Sequence, residues 1–177
     1  MTPERLSDEL RHGTGDDLRR RRGVVGLALG SAAVMGLISL YQTGILRRLP
    51  EPPVPGLDAG KVNGSAEAYA RLATPDALLG LASYAATAAL AAGGGGKRRA
   101  TERPWVPVAL AAKVAFDAAV AARLTWVAGT KLRAFSFWSL LAAAMTFGMV
   151  PLVWPEARRA ISVRRRRRWI RNQELRV

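Results

Sequence analysis

The chain has 177 residues, half of them hydrophobic, yet its formal net charge is +14. A single-domain length with that combination requires apolar and charged residues to be segregated along the chain rather than mixed as in a soluble globule. Cysteine is absent and His12 is the sole histidine, which excludes structural disulfides, thiol catalysis and thiolate or histidine-cluster metal sites within the chain.

Residues 1–22 mix six arginines with five acids. They read as a polar, loosely ordered N-terminal segment with a short helix over 7–11. Arg19 to Arg22 then abut an apolar run at 23–46, 24 residues without a charge. A basic stretch before an apolar run resembles a signal peptide, but this run is too long for one and others follow, so it reads as a retained helix. A helix needs roughly 20 apolar residues to cross the hydrocarbon core. Gly26 and Gly30, in G-x-x-x-G spacing, suit close helix packing. Ser39, Tyr41, Gln42 and Thr43 make the far end polar. Tyr41 is there either as an interfacial anchor or as part of a site near the membrane surface.

The connection 47–76 begins with Pro50, Pro52, Pro53 and Pro55, which stiffen it as an extended segment. A short helix is expected over 67–72, and Thr74 or Asp76 as the cap of the next helix, with Pro75 near its first turn. Thirty residues exceed a bare link and are usually functional, so the segment reads as a cap over the mouth of the bundle. Asn63-Gly64-Ser65 matches a weak glycosylation pattern. A second uncharged run, 77–96, spans 20 residues and ends in four glycines. Lys97, Arg98, Arg99 and Arg103 follow.

The third run, 104–129, is long enough to span but holds Lys113, Asp117 and Arg123. A charge in lipid costs about 3 kcal/mol on insertion scales, so these should face inward. Lys113 and Asp117, four apart, can pair. They form either a self-neutralising pair with a snorkelling Arg123, or a polar patch facing a cavity. The fourth run, 134–155, has 22 uncharged residues and opens on Ser136-Phe137-Trp138-Ser139. Positions three apart share a helix face, the spacing a Cys-x-x-Cys redox pair uses. Here both are serine, which cannot form a disulfide. Capping or packing a membrane helix is the plain reading of the two hydroxyls. The tail carries Arg158, Arg159, Arg164 to Arg168, Arg171 and Arg176. Beside a span, an arginine run reads as a topology signal on anionic lipid in preference to a nucleic-acid contact.

Four spans follow, an all-α integral membrane four-helix bundle with a long capping loop between helices 1 and 2. The parts are 1–22 (charged N-terminal segment), 23–157 (transmembrane domain) and 158–177 (basic tail). The termini and the 97–103 turn hold 19 Lys and Arg against 6 in the 47–76 and 130–133 connections. By the positive-inside rule both termini are cytoplasmic, which puts the cap and Ser136 and Ser139 together on the outer face.

This layout resembles the vitamin K epoxide reductase family, in its bacterial type, over roughly 23–154. The likeness rests on Ser39-Leu40-Tyr41-Gln42-Thr43, Ala68-Tyr69-Ala70, Pro75-Asp76-Ala77-Leu78-Leu79-Gly80-Leu81 and Ala134-Phe135-Ser136-Phe137-Trp138-Ser139-Leu140-Leu141. The resemblance implies a bacterial inner-membrane protein with a Cys-x-x-Cys heading its fourth helix and a quinone as electron acceptor. Serine stands at both cysteine positions, and the family's loop cysteine pair is missing from 47–76. What would survive is a quinone or lipid pocket in a redox-silent pseudoenzyme, with Phe137, Trp138, Tyr41, Asn63 and Tyr69 as ligand-binding candidates and no metal. The alternative is a quinone-linked thiol oxidoreductase that takes its thiols from a partner chain. A transporter-like role for Asp117 is disfavoured by four spans without a visible internal repeat.

Overall fold

The computed structural model describes residues 2–70, 72–93, 95–96 and 99–174, with side chains to Arg166. Of the basic residues counted above, Arg71, Lys97, Arg98, Arg176 and the side chains of Arg167, Arg168 and Arg171 lie outside this description. Eight α-helices are described: α1 Pro3–His12, α2 Asp16–Gln42, α3 Ala59–Asn63, α4 Ala66–Tyr69, α5 Asp76–Ala92, α6 Arg99–Glu102, α7 Trp105–Val127 and α8 Phe137–Glu174. A single π-turn, Ala128–Leu132, extends α7. The strand-like element among the described residues is one parallel bridge, Leu57 to Phe135.

Three helices are long and apolar enough to cross a membrane: Asp16–Gln42, Trp105–Leu132 and Phe137–Arg166. α5, with 17 residues, is shorter. α2 packs against both α5 and α8, and α8 packs against α7, while α5 and α7 touch far less. The main core runs along these contacts through Val24, Ala28, Tyr84, Leu110, Val114, Met149 and Val153. A smaller cluster of Val34, Ile38, Ala77 and Ala142 continues it toward the head of α8. Small residues set the approach. A Cβ on Gly30 would stand 2.9 Å from the Met145 sulfur, whereas Gly26 faces open space, so one half of the G-x-x-x-G pair serves packing inside the chain.

The expected boundaries move where partners intervene. Residues 1–22 are not loosely ordered: they hold α1 and the first turns of α2. Leu18 and Arg21 are buried, and Arg22 donates to the Leu10, Arg11 and Gly13 carbonyls, capping the end of α1. The second helix stops at Ala92, before the four glycines, which have poor helix propensity. Arginines take the carbonyls here: Arg99 those of Leu90 and Ala91 in the last turn and of Gly93 beyond it, and Arg21 those of Gly95 and Gly96 in the glycine loop. The short cap helix is Ala66–Tyr69 instead of 67–72. The first turn of α5 is capped by neither Thr74 nor Asp76; Gln42 Oε1, arriving from α2, accepts from Ala77 N at 3.2 Å. α8 runs unbroken through 157 to Glu174 despite Pro151 and Pro155, so the basic tail continues the same helix.

Candidate functional site

Ser136 immediately precedes α8. Its carbonyl accepts from Leu140 N at 2.9 Å and its Oγ from Ser139 N at 3.4 Å, the geometry of an N-cap. The plain reading of this serine therefore holds, and a second role sits on top of it. Asn63, the last residue of α3, reaches both serines. Its Nδ2 donates to Ser136 Oγ at 3.0 Å, and its Oδ1 accepts from Ser139 Oγ at 3.2 Å. The two helical positions that share a face thus meet one amide from the 47–76 connection.

That connection is fastened to the head of α8 around the same serines. Glu51 is the principal fastener: one carboxylate oxygen accepts from Phe137 N at 2.7 Å and the other from Ala59 N at 2.5 Å. It joins the first residues of α3 and α8, where an acid complements the helix dipole. Phe135 N donates to Gly56 O and Asp58 N to Phe135 O. Trp138 Nε1 donates to Pro50 O at 2.6 Å. Gln42 ties α2 to the other side, donating to Asn63 O and Asp76 Oδ1.

Beneath these contacts lies a cavity of about 320 Å³, within the range of small-molecule sites. Asn63, Ser136 and Ser139 line one end. Apolar walls come from α2, α5, α7 and α8, among them Met35, Ile38, Leu79, Val120 and Leu140. Phe116 and Leu124 also line it and are themselves 64% and 38% exposed, so the space reaches the molecular surface along α7.

Asp117 forms part of the wall. Its carboxylate accepts from Lys113 Nζ at 2.6 and 2.7 Å, from Ser83 Oγ at 2.9 Å and from Thr87 Oγ1 at 3.1 Å. Lys113 Nζ also donates to Ser83 Oγ at 2.7 Å. Each oxygen accepts two donors, so the group is saturated, and it rivets α5 to α7 where apolar contact is sparse. Arg123 is exposed and stands apart.

The aromatic candidates sit elsewhere than the lining. Phe137 packs edge-on against Trp138, their ring centroids 5.4 Å apart. The Tyr69 hydroxyl donates to Gln42 O at 3.1 Å. The Tyr41 hydroxyl lies over α3, where a Cβ on Gly60 or Gly64 would approach it to 3.4 Å. Trp138, Tyr69 and Tyr41 tie the 47–76 connection to α8 and α2; of the five candidates, Asn63 enters the cavity wall.

Sequence reasoning passed over Glu51, Gln42, Ser83 and Thr87. The last two had a legible signal, since hydroxyls four apart on α5 match Lys113 and Asp117 four apart on α7. It also passed over a buried charge cluster at the far end of the helices. Arg99 grips Glu156 through Nε and a terminal nitrogen, at 3.0 and 2.8 Å, and Arg21 Nε stands 3.9 Å from the same carboxylate.

Among the described residues no group of His, Asp and Glu is placed to hold a metal. The sequence model of one protein family, described as the Vitamin K epoxide reductase family, matches residues 23–154. No curated protein matches the chain.

Proposed function

Since the chain belongs to the vitamin K epoxide reductase family, we propose that it is a redox-silent member of that family, a membrane-embedded binding protein for a quinone or another lipid. Three helices of spanning length make it an integral membrane protein. In this reading α5 completes a four-helix membrane bundle. The 47–76 connection caps its outer mouth, and both termini face the cytoplasm of a bacterial inner membrane. The observation that carries the reading is the Asn63 amide bridging Ser136 and Ser139 at the end of an apolar cavity. An apolar space with a few convergent polar atoms suits a ring-bearing ligand. With no cysteine in the chain, the two-electron thiol step has no carrier here. Exposed Phe116 and Leu124 in the lining support entry from the bilayer.

Purified protein in proteoliposomes, given a quinone and a dithiol reductant, should show no turnover above the protein-free blank. Turnover would overturn the reading and favour the thiol-dependent alternative. The double substitution Ser136→Cys and Ser139→Cys tests the geometry independently. Two sulfurs at a helix start, three apart, reach disulfide distance, so intact mass should fall by two hydrogens on oxidation. A pair that stays reduced would show that the site has drifted from the family's frame.

A further inference from the structure

We infer, resting on the cavity reading above, that the ligand is held through an uncharged hydroxyl group, as in a phenol, hydroquinone or alcohol, in preference to a carbonyl, an ether or an anion. The assignment starts from the Ala59 carbonyl, which only accepts, so the Asn63 amide nitrogen must be the atom facing it at 3.0 Å. The other proton of that nitrogen goes to Ser136 Oγ. Asn63 Oδ1 then faces Ser139, whose hydroxyl has to donate its single proton there. Every proton in the chain of bonds is placed by this sequence of choices.

The two serines end up complementary. Ser136 Oγ accepts from Asn63 Nδ2 and from Ser139 N, which fills both lone pairs. Its own proton has no acceptor among the described residues, and Ser136 lines the cavity, so the acceptor it lacks has to come from what the cavity holds. Ser139 has given its proton away, and no donor among the described residues fills its lone pairs. One oxygen that accepts from Ser136 and donates to Ser139 satisfies both, and a hydroxyl does this. A quinone carbonyl or an ether satisfies only Ser136. A carboxylate accepts from Ser136 but has no proton to give Ser139, and no lysine or arginine is among the described lining residues.

The test uses the full chain in detergent micelles with three probes of one size, para-pentylphenol, its methyl ether and para-pentylbenzoate, at neutral pH, read by tryptophan fluorescence. The phenol should bind about tenfold tighter than the ether, the worth of one buried hydrogen bond, and the benzoate weakest. Ser139→Ala, which leaves the α8 cap intact, should bring the phenol down to the ether's affinity without moving the ether. Ser136→Ala should weaken both alike. Equal binding of phenol and ether, the result expected if a resident water already bridges the serines, would overturn the hydroxyl assignment and leave the cavity reading standing. A benzoate that binds tightest would also overturn it. Failure of all three probes to bind would take the cavity reading down with it.

Discussion

The two ends of the helices are held by opposite chemistries. At the head of α8 the contacts are mostly amides and hydroxyls, with the Glu51 carboxylate joining α3 to α8. About 30 Å away, twenty residues along α8, Glu156 lies buried between Arg99 and Arg21. Those arginines also hold five carbonyls at the end of α5 and in the glycine loop. At the charged end one donor, Arg21 Nε, has no hydrogen-bond partner among the described residues. By contrast, the neutral end borders the cavity and leaves hydroxyl capacity open toward it. The charged end fixes the end of α5 in place, and the neutral end is where we propose that a ligand binds.

That contrast breaks most readily at Glu156. Removing one partner of a buried ion pair costs about 3–5 kcal/mol because the survivor stays buried and unpaired. Glu156→Ala strands two guanidiniums, so it should destabilise more than Arg99→Ala, after which Arg21, 3.9 Å away, still faces the carboxylate. Chemical unfolding in detergent ranks the two, and the reverse order would mean that the Leu90, Ala91 and Gly93 carbonyls held by Arg99 outweigh the second guanidinium on Glu156. Next in size is Asp117→Asn. Lys113 keeps the Ser83 and Thr87 hydroxyls as partners, and asparagine keeps an acceptor oxygen, so the cost should fall to about 1–3 kcal/mol. The same variant should loosen α5 from α7, read as faster probe entry into the cavity. Unchanged entry kinetics would separate the Asp117 rivet from the cavity wall.

What was legible in the sequence divides along the same line. The charge-free runs at 23–46 and 134–155 mark α2 and α8 directly, because a spanning helix is written in local composition. Their ends were not legible, since ends are settled by partners. α2 starts at Asp16 because Leu18 is buried and Arg22 caps α1; α5 stops at Ala92 where Arg99, from beyond the glycines, takes its carbonyls. Ser136 and Ser139 stood out by spacing, and Lys113 with Asp117 likewise. Asn63 lies 73 residues from Ser136, and a contact at that separation leaves no local pattern. Tyr41, Asn63, Tyr69, Phe137 and Trp138 were chosen by position alone, and position cannot tell a side chain that holds the 47–76 connection from one, such as Asn63, that lines a cavity.

The smallest effect is expected at Glu51, and it sharpens the comparison because it acts on the neutral end alone. Its two oxygens accept from the first amides of α3 and α8. Glutamine keeps one acceptor oxygen but turns an NH₂ group toward the other amide, so one charge-assisted bond becomes a donor facing a donor. Such bonds are worth about 1.5–3 kcal/mol when buried. Glu51 is only half-buried, so water fills part of the gap and the loss should be nearer 1 kcal/mol. It should appear as faster hydrogen exchange at Ala59, Asn63 and Phe137 while the global unfolding midpoint barely moves, because Trp138 to Pro50 and the Phe135 backbone pair still hold the 47–76 connection. A global loss as large as that of Arg99→Ala would mean that the head and the far end unfold as one unit, and the division of labour between them would not stand.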